Sequence, residues 1–141
     1  MRPFIKHLIE RGCITVSFDK KIIHLADVLT KNSIGAVPIV DKKKELVGIV
    51  SERDIVKNLN NPDIDVYNRN ISDIMVKSVI TAPQTVNSSE LMQIMTDNKI
   101  RHVVIMDGNI LRGIVSIGDV VKRLLEKLEG EAEQLRLFIN S

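Results

Sequence analysis

The sequence predicts an α/β (α+β) protein made of two β-α-β-β-α repeats, packed sheet to sheet about a pseudo-twofold axis. Three observations carry this. Residues 5–41 align with 71–107 without a gap, and 46–57 align with 111–122 after one deletion in a polar turn. Each copy alternates a helix-period stretch with two short apolar runs that bracket a turn. Apolar residues make up 44% of the chain and charged residues 27%, enough greasy surface for a core and too much for disorder.

The repeat is close in residue identity. In the first block the identical pairs are Ile5/Ile71, Ile14/Ile80, Thr15/Thr81, Leu25/Leu91, Thr30/Thr96, Asn32/Asn98, Ile34/Ile100, Val37/Val103, Ile39/Ile105 and Asp41/Asp107. In the second, LVGIVSERDIVK falls on LRGIVSIGDVVK with eight of twelve positions identical. The chain divides into repeat 1 (1–60), a linker (61–70), repeat 2 (71–129) and a helical extension (130–141). The polar stretch NLNNPDIDVYNRN supplies the linker chemistry.

Short apolar strands are expected first, at Ile14–Val16 and Val79–Thr81. Helices follow over 22–32 and 88–98, where Ile22, Leu25, Ala26 and Leu29, then Leu91, Met92 and Met95, recur at helical spacing. Both end on Asn, which tolerates a left-handed terminal turn. The runs AVPIV and LVGIV, then HVVIM and ILRGIV, read as hairpins. Helices are expected over 52–60 and 117–129. A unit of this size buries little alone, so the two copies should form one body with clefts where they meet.

Composition excludes several classes. Lys plus Arg number 20 and Asp plus Glu 18, a net charge of +2, which offers no concentrated basic face for phosphate backbones. Aromatic residues are 3% of the chain (Phe4, Phe18, Tyr67, Phe138), too few to stack exposed bases. Nucleic acid is not the expected partner. Cys13 is the only cysteine, so neither an internal disulfide nor a multi-cysteine metal site is expected, and the residue reads as core. The N-terminus carries Lys6, His7, Glu10 and Arg11 where a signal peptide needs an apolar stretch. The longest apolar run, 34–40, falls far short of the roughly 20 residues that cross a bilayer. A soluble, cytoplasmic protein is expected, with no membrane partner. No HExxH, P-loop or GxGxxG occurs, and no catalytic constellation is visible.

The strongest local pattern is G-I-V-S-x-x-D, present at Gly48–Asp54 and Gly113–Asp119. Ser51 and Ser116 stand where a helix N-cap belongs, with Asp54 and Asp119 three residues later. As a capping box the pair stabilises each helix end by about 1 kcal/mol. The same atoms suit a ribose phosphate: the carboxylate accepts from paired sugar hydroxyls, while Ser and the backbone N–H groups meet phosphate. Both readings stand on the sequence.

The doubled unit, the two G-I-V-S-x-x-D ends and the segment IRHVVIMD (100–107) together resemble a tandem pair of cystathionine-β-synthase (CBS) domains, a Bateman module, over residues 5 to about 129. The resemblance implies a regulatory module that binds AMP, ADP, ATP or S-adenosylmethionine in two clefts, with no resident cofactor. The first cleft would join Ser51 and Asp54 to Ile80, Thr81, Arg101, His102 and Val103. The second would join Ser116 and Asp119 to Ile14, Thr15, Gly35, Ala36 and Val37. Arg101 and His102, with Arg53, imply a preference for phosphorylated ligands in the first. The second is expected to be smaller, with only Lys20 and Lys21 near it, and so weak, empty or open to a less charged adenosine compound. The other expectation from the residues is a scaffold with degenerate clefts.

Beyond the resemblance, Val121, Leu124, Leu125, Leu128, Ala132, Leu135 and Ile139 continue a helical stripe past Gly130. It suits either the protein's own sheet or a second subunit, and a homodimer is expected. With no effector domain in the chain, the output would pass to a separate protein, or lie in occupancy alone.

Overall fold

The structure, a computed structural model, describes residues 1–141. It contains α1 (Pro3–Glu10), β1 (Val16–Ser17), α2 (Ile22–Asn32), β2 (Ala36–Val40), β3 (Leu46–Ser51), α3 (Glu52–Leu59), β4 (Thr81–Pro83), α4 (Ser88–Asn98), β5 (His102–Asp107), β6 (Ile110–Ser116) and α5 (Ile117–Asn140). A 3₁₀ turn, Ile71–Asp73, precedes β4. The strands form two three-stranded sheets, β1-β2-β3 and β4-β5-β6. In each the first strand runs parallel to the second, and the second and third form an antiparallel hairpin. Both hairpins shift register at the same place, between Ile39 and Val40 and between Ile105 and Met106. The repeat seen in the sequence is thus a repeat of topology and of irregularity.

The first strands begin two residues later than their apolar runs suggest. Pairing starts at Val16↔Ile39 and Thr81↔Val104. Upstream, Ile14 and Ile80 line clefts, although the Ile80 carbonyl still accepts from the Val104 N–H at 3.3 Å. The helix ends differ too. Ser33 and Lys99, not the preceding asparagines, take the left-handed conformation, at φ 52° and 54°. Asn32 and Asn98 keep helical geometry because their side-chain amides donate back to the Val28 and Ile94 carbonyls, each at 2.8 Å.

The sequence repeat and the packed core do not coincide. Val16, Ile22, Leu25, Leu29, Val37, Ile39 and Val50 form one core, completed by Ile71 and Ile74 from the segment that opens the second repeat. Ala82, Val86, Leu91, Met95, Val103, Ile105, Val115 and Val120 form the other, completed by Ile5 and Leu8 of α1. Each half lends an arm to its neighbour. Gly48 makes one arm possible: a β-carbon there would stand 2.7 Å from Met75 Sδ and 3.1 Å from the Val76 carbonyl oxygen. The arm seals against β3 through paired hydrogen bonds between Ile49 and Val76, at 3.0 and 2.9 Å.

α5 runs unbroken through Gly130, well past the end of the repeat. Its first turns pack against α4, and only Val120 is buried. Leu128, Leu135, Phe138 and Ile139 stand 59–78% exposed, so the stripe does not fold back on the sheet. No helix is long and apolar enough to cross a membrane. Cys13 is half-buried rather than core, and burial pushes its thiol pKa up to about 11.

Candidate functional site

Two clefts open between the repeats, each built at the point where a hairpin's last strand hands over to a helix. Ser51 caps α3: its backbone N–H donates to Asp54 Oδ2 at 2.8 Å, its hydroxyl to the same oxygen at 3.0 Å, and Asp54 N–H donates to Ser51 Oγ at 3.4 Å. Ser116 and Asp119 repeat this at α5, at 2.9, 3.0 and 3.1 Å. The first N–H of each helix is also taken, by the Gly35 carbonyl at 2.9 Å and the Arg101 carbonyl at 2.8 Å. The helix ends therefore satisfy most of their own donors. Ser51 spends its proton on Asp54, which leaves it no donor for a phosphate. The capping box and the ligand reading no longer compete, because the cap uses only one carboxylate oxygen.

The first cleft has a volume of about 360 Å³. Ser51, Arg53, Asp54, Ile80, Arg101 and His102 line it as expected from the sequence. Thr81 lies outside on β4, exposed, and the Val103 side chain is fully buried in the second core. Sequence reasoning missed the apolar wall of Ile49, Val76, Val79 and Ile100, and the charged rim residues Glu52 and Lys99. Asp54 Oδ2 is held by the cap, while Oδ1 accepts from no protein group. An oriented carboxylate with one open oxygen suits a pair of vicinal hydroxyls. Arg53, Lys99 and Arg101 place three cations on the same cleft.

The second cleft, about 420 Å³, is no smaller than the first. Ile14, Gly35, Ala36, Ser116 and Asp119 line it. Thr15 is half-buried outside it, and the Val37 side chain is fully buried in the first core. Lys20 and Lys21 lie away from it, beside α2, where Lys21 Nζ donates to the Asn68 carbonyl. The nearby cation is Arg11. It grips Asp119 with both arms, Nη1 to Oδ1 at 2.8 Å and Nη2 to Oδ2 at 2.7 Å, and Nη2 also donates to the Ile114 carbonyl at 3.1 Å. Burial alone would raise the Asp119 pKa, but the hydrogen bonds from Arg11 and Ser116 outweigh it and hold the carboxyl below its usual range. The bond to Asp119 raises Arg11 in turn, against some burial.

Gly35, Ala36 and His102 line both clefts, so the two share a wall. Burial lowers the His102 pKa, and Asp119 and Glu52 oppose that only in part. No group of three or more His, Cys, Asp or Glu side chains is placed to hold a metal ion.

This fold and site define a protein of paired repeats whose sheets each end in a capped helix at a shared seam. The CBS domain family matches residues 5–61 and 71–126, and the chain belongs to that family. Inosine-5'-monophosphate dehydrogenase of Methanocaldococcus jannaschii is 32% identical over 114 residues, which cover 80% of this chain and 22% of the enzyme. The mitochondrial CBS domain-containing protein CBSX3 of Arabidopsis thaliana is 29% identical over 86% of this chain and 61% of its own length. The chain thus spans about a fifth of the dehydrogenase, and the likeness reaches only that part of the enzyme. Among solved structures, the CBS-domain containing protein ATU1752 of Agrobacterium tumefaciens superposes with a TM-score of 0.77 at 36% identity, over 84% of this chain and 90% of that one. The CBS domain pair of protein MJ0100, solved with 5'-methylthioadenosine and S-adenosyl-L-methionine, gives 0.78 at 29% identity, over 87% and 96%.

Proposed function

We propose that this chain is a regulatory module that binds an adenine nucleotide (AMP, ADP or ATP) in the first cleft and signals occupancy to a partner protein, without catalysing a reaction. One observation carries the reading: Asp54 presents an unpaired carboxylate oxygen in a cleft that also holds an apolar wall and three cations. The carboxylate takes the ribose hydroxyls, Ile80, Val79 and Ile100 flank the base, and Arg53, Lys99 and Arg101 balance phosphate charge. A ligand that bridges α3 and the 78–80 segment joins the two repeats, and its binding stabilises that arrangement over others. The exposed stripe of α5 is the proposed seam of a homodimer.

A second ligand class has a specific observation in its favour. The MJ0100 domain pair, 29% identical, was solved with methylthioadenosine and S-adenosylmethionine, so sulfur-containing adenosines belong in the same test. Thermal melts with AMP, ADP, ATP and S-adenosylmethionine distinguish the two. Binding to the folded form alone adds ~2.7 kcal/mol at a hundredfold excess over Kd. A shift for the nucleotides supports the first reading, a shift for S-adenosylmethionine alone supports the second, and no shift for any leaves the scaffold.

A further inference from the structure

We infer that Arg11 sets the specificity of the second cleft, which admits a nucleoside only when the ligand brings an anionic group to take the guanidinium in exchange for Asp119. The inference rests on the reading of the Ser/Asp carboxylates as ribose-gripping groups. In the first cleft that carboxylate keeps Oδ1 open. In the second, both oxygens of Asp119 are bound by Arg11. The clefts differ in this and not in room, since their volumes are about 360 and 420 Å³.

The contrast follows from the repeat itself. Arg11 aligns with Lys77, and Asp119 with Asp54. Lys77 forms no ion pair with Asp54, because its segment is drawn onto β3 by the Ile49–Val76 pairing. On the other side α1 stays helical through Glu10, so no backbone pairs with Ile114 at that place. The Arg11 side chain takes the Ile114 carbonyl instead, at 3.1 Å. Anchored there, its planar fork meets the carboxylate bidentately.

The pair is built to exchange. Arg11 caps the C-terminal end of α1 and is followed by Gly12 at φ 81°, with open space around it. Its side chain is 42% exposed, whereas that of Asp119 is 21% exposed. A neutral nucleoside would replace the bidentate ion pair at Asp119 with bonds from uncharged hydroxyls and leave the guanidinium without an anion. A nucleoside 5'-phosphate supplies both partners at once: hydroxyls for Asp119 and phosphate for Arg11. His102 on the shared wall adds a further donor to the same cleft.

The test uses isothermal titration with adenosine and AMP on the full chain carrying Asp54→Ala, which silences the first cleft. Arg11→Ala and the stem-preserving Arg11→Gln are each added to that background. With Arg11 present, AMP is expected to bind at least tenfold tighter than adenosine. Without it, adenosine gains affinity and the ratio falls to near one. A ratio unchanged by both substitutions, or tight adenosine binding with Arg11 in place, overturns the inference. So does failure of the Arg11 variants to bind any nucleoside. Wild-type AMP binding at the first cleft, measured alongside, reports on the proposed function separately: its loss would sink that reading while adenosine gained by Arg11→Ala would still support this one.

Discussion

Gly35 and His102 face each other across the wall between the clefts: a β-carbon on Gly35 would stand 3.3 Å from His102 Cε1 and 3.5 Å from Nε2. The same β-carbon would lie 2.9 Å from Glu52 Oε1. With His102 lining both clefts, a ligand in either one would meet a residue that also lines the other.

Gly35→Ala tests that wall. Its φ lies outside the left-handed region, so alanine suits the backbone, and the atoms it meets belong to flexible side chains. The melting temperature should stay within a few degrees. Nucleotide affinity should fall roughly tenfold, about 1.4 kcal/mol, by titration calorimetry. Unchanged affinity would mean that the wall has slack.

Leu8→Ala tests the exchanged arm. Leu8 is 2% exposed and packs in the second core although it belongs to the first sequence repeat. The substitution should cost about 2–5 kcal/mol. Hydrogen exchange should rise first in β5 and β6. A loss of protection centred on β2 and β3 would contradict the arm's placement.

Acid should weaken the fold in two windows. His102 has a folded pKa below its ordinary value, so the native state resists its protonation, and stability falls as pH drops from about 6.5 through the lowered value. Asp119 and Glu52 oppose the lowering, and Arg101 adds to it. His102→Gln should flatten the slope of denaturant midpoint against pH there. Asp119 acts further down: its folded pKa is depressed, so its contribution is full above about pH 4 and is lost as pH falls through the depressed value. Arg11→Ala should remove most of that second loss.

The stripe on α5 should be a subunit seam. Leu128 and Leu135, seven residues apart, are 61% and 59% exposed. Sedimentation at micromolar concentration should give twice the chain's 15.9 kDa, and Leu128→Glu with Leu135→Glu should return it to the single-chain mass. A monomer before substitution would refute the dimer.

How far the sequence reached follows from which interactions are local. The helices α2 to α5 and the hairpins were legible because spacing fixes which face is apolar, and the capping boxes at Ser51 and Ser116 because all their atoms lie within three residues, whereas α1 was not among the expected helices. The strand starts were misplaced by two residues, since Ile14 and Ile80 are as apolar as a strand requires but serve the cleft walls. The repeat showed that Ile5 and Ile71 are equivalent, and nothing local says that each docks on the other half's core. Arg11 was the costliest omission. It meets Asp119 across 108 positions, and the one clue was a basic residue, Lys77, at the matching place in the other copy.

The most direct measurement is an amide NMR titration of the labelled protein with AMP, on wild type and on Asp54→Ala. Saturable shifts are expected in wild type at 51–54 and 78–80, segments that line only the first of the two clefts, and their loss in a variant that keeps the remaining spectrum. A wild type whose peaks in these segments do not move at millimolar AMP, or a variant in which these same peaks move as in wild type, would contradict the account.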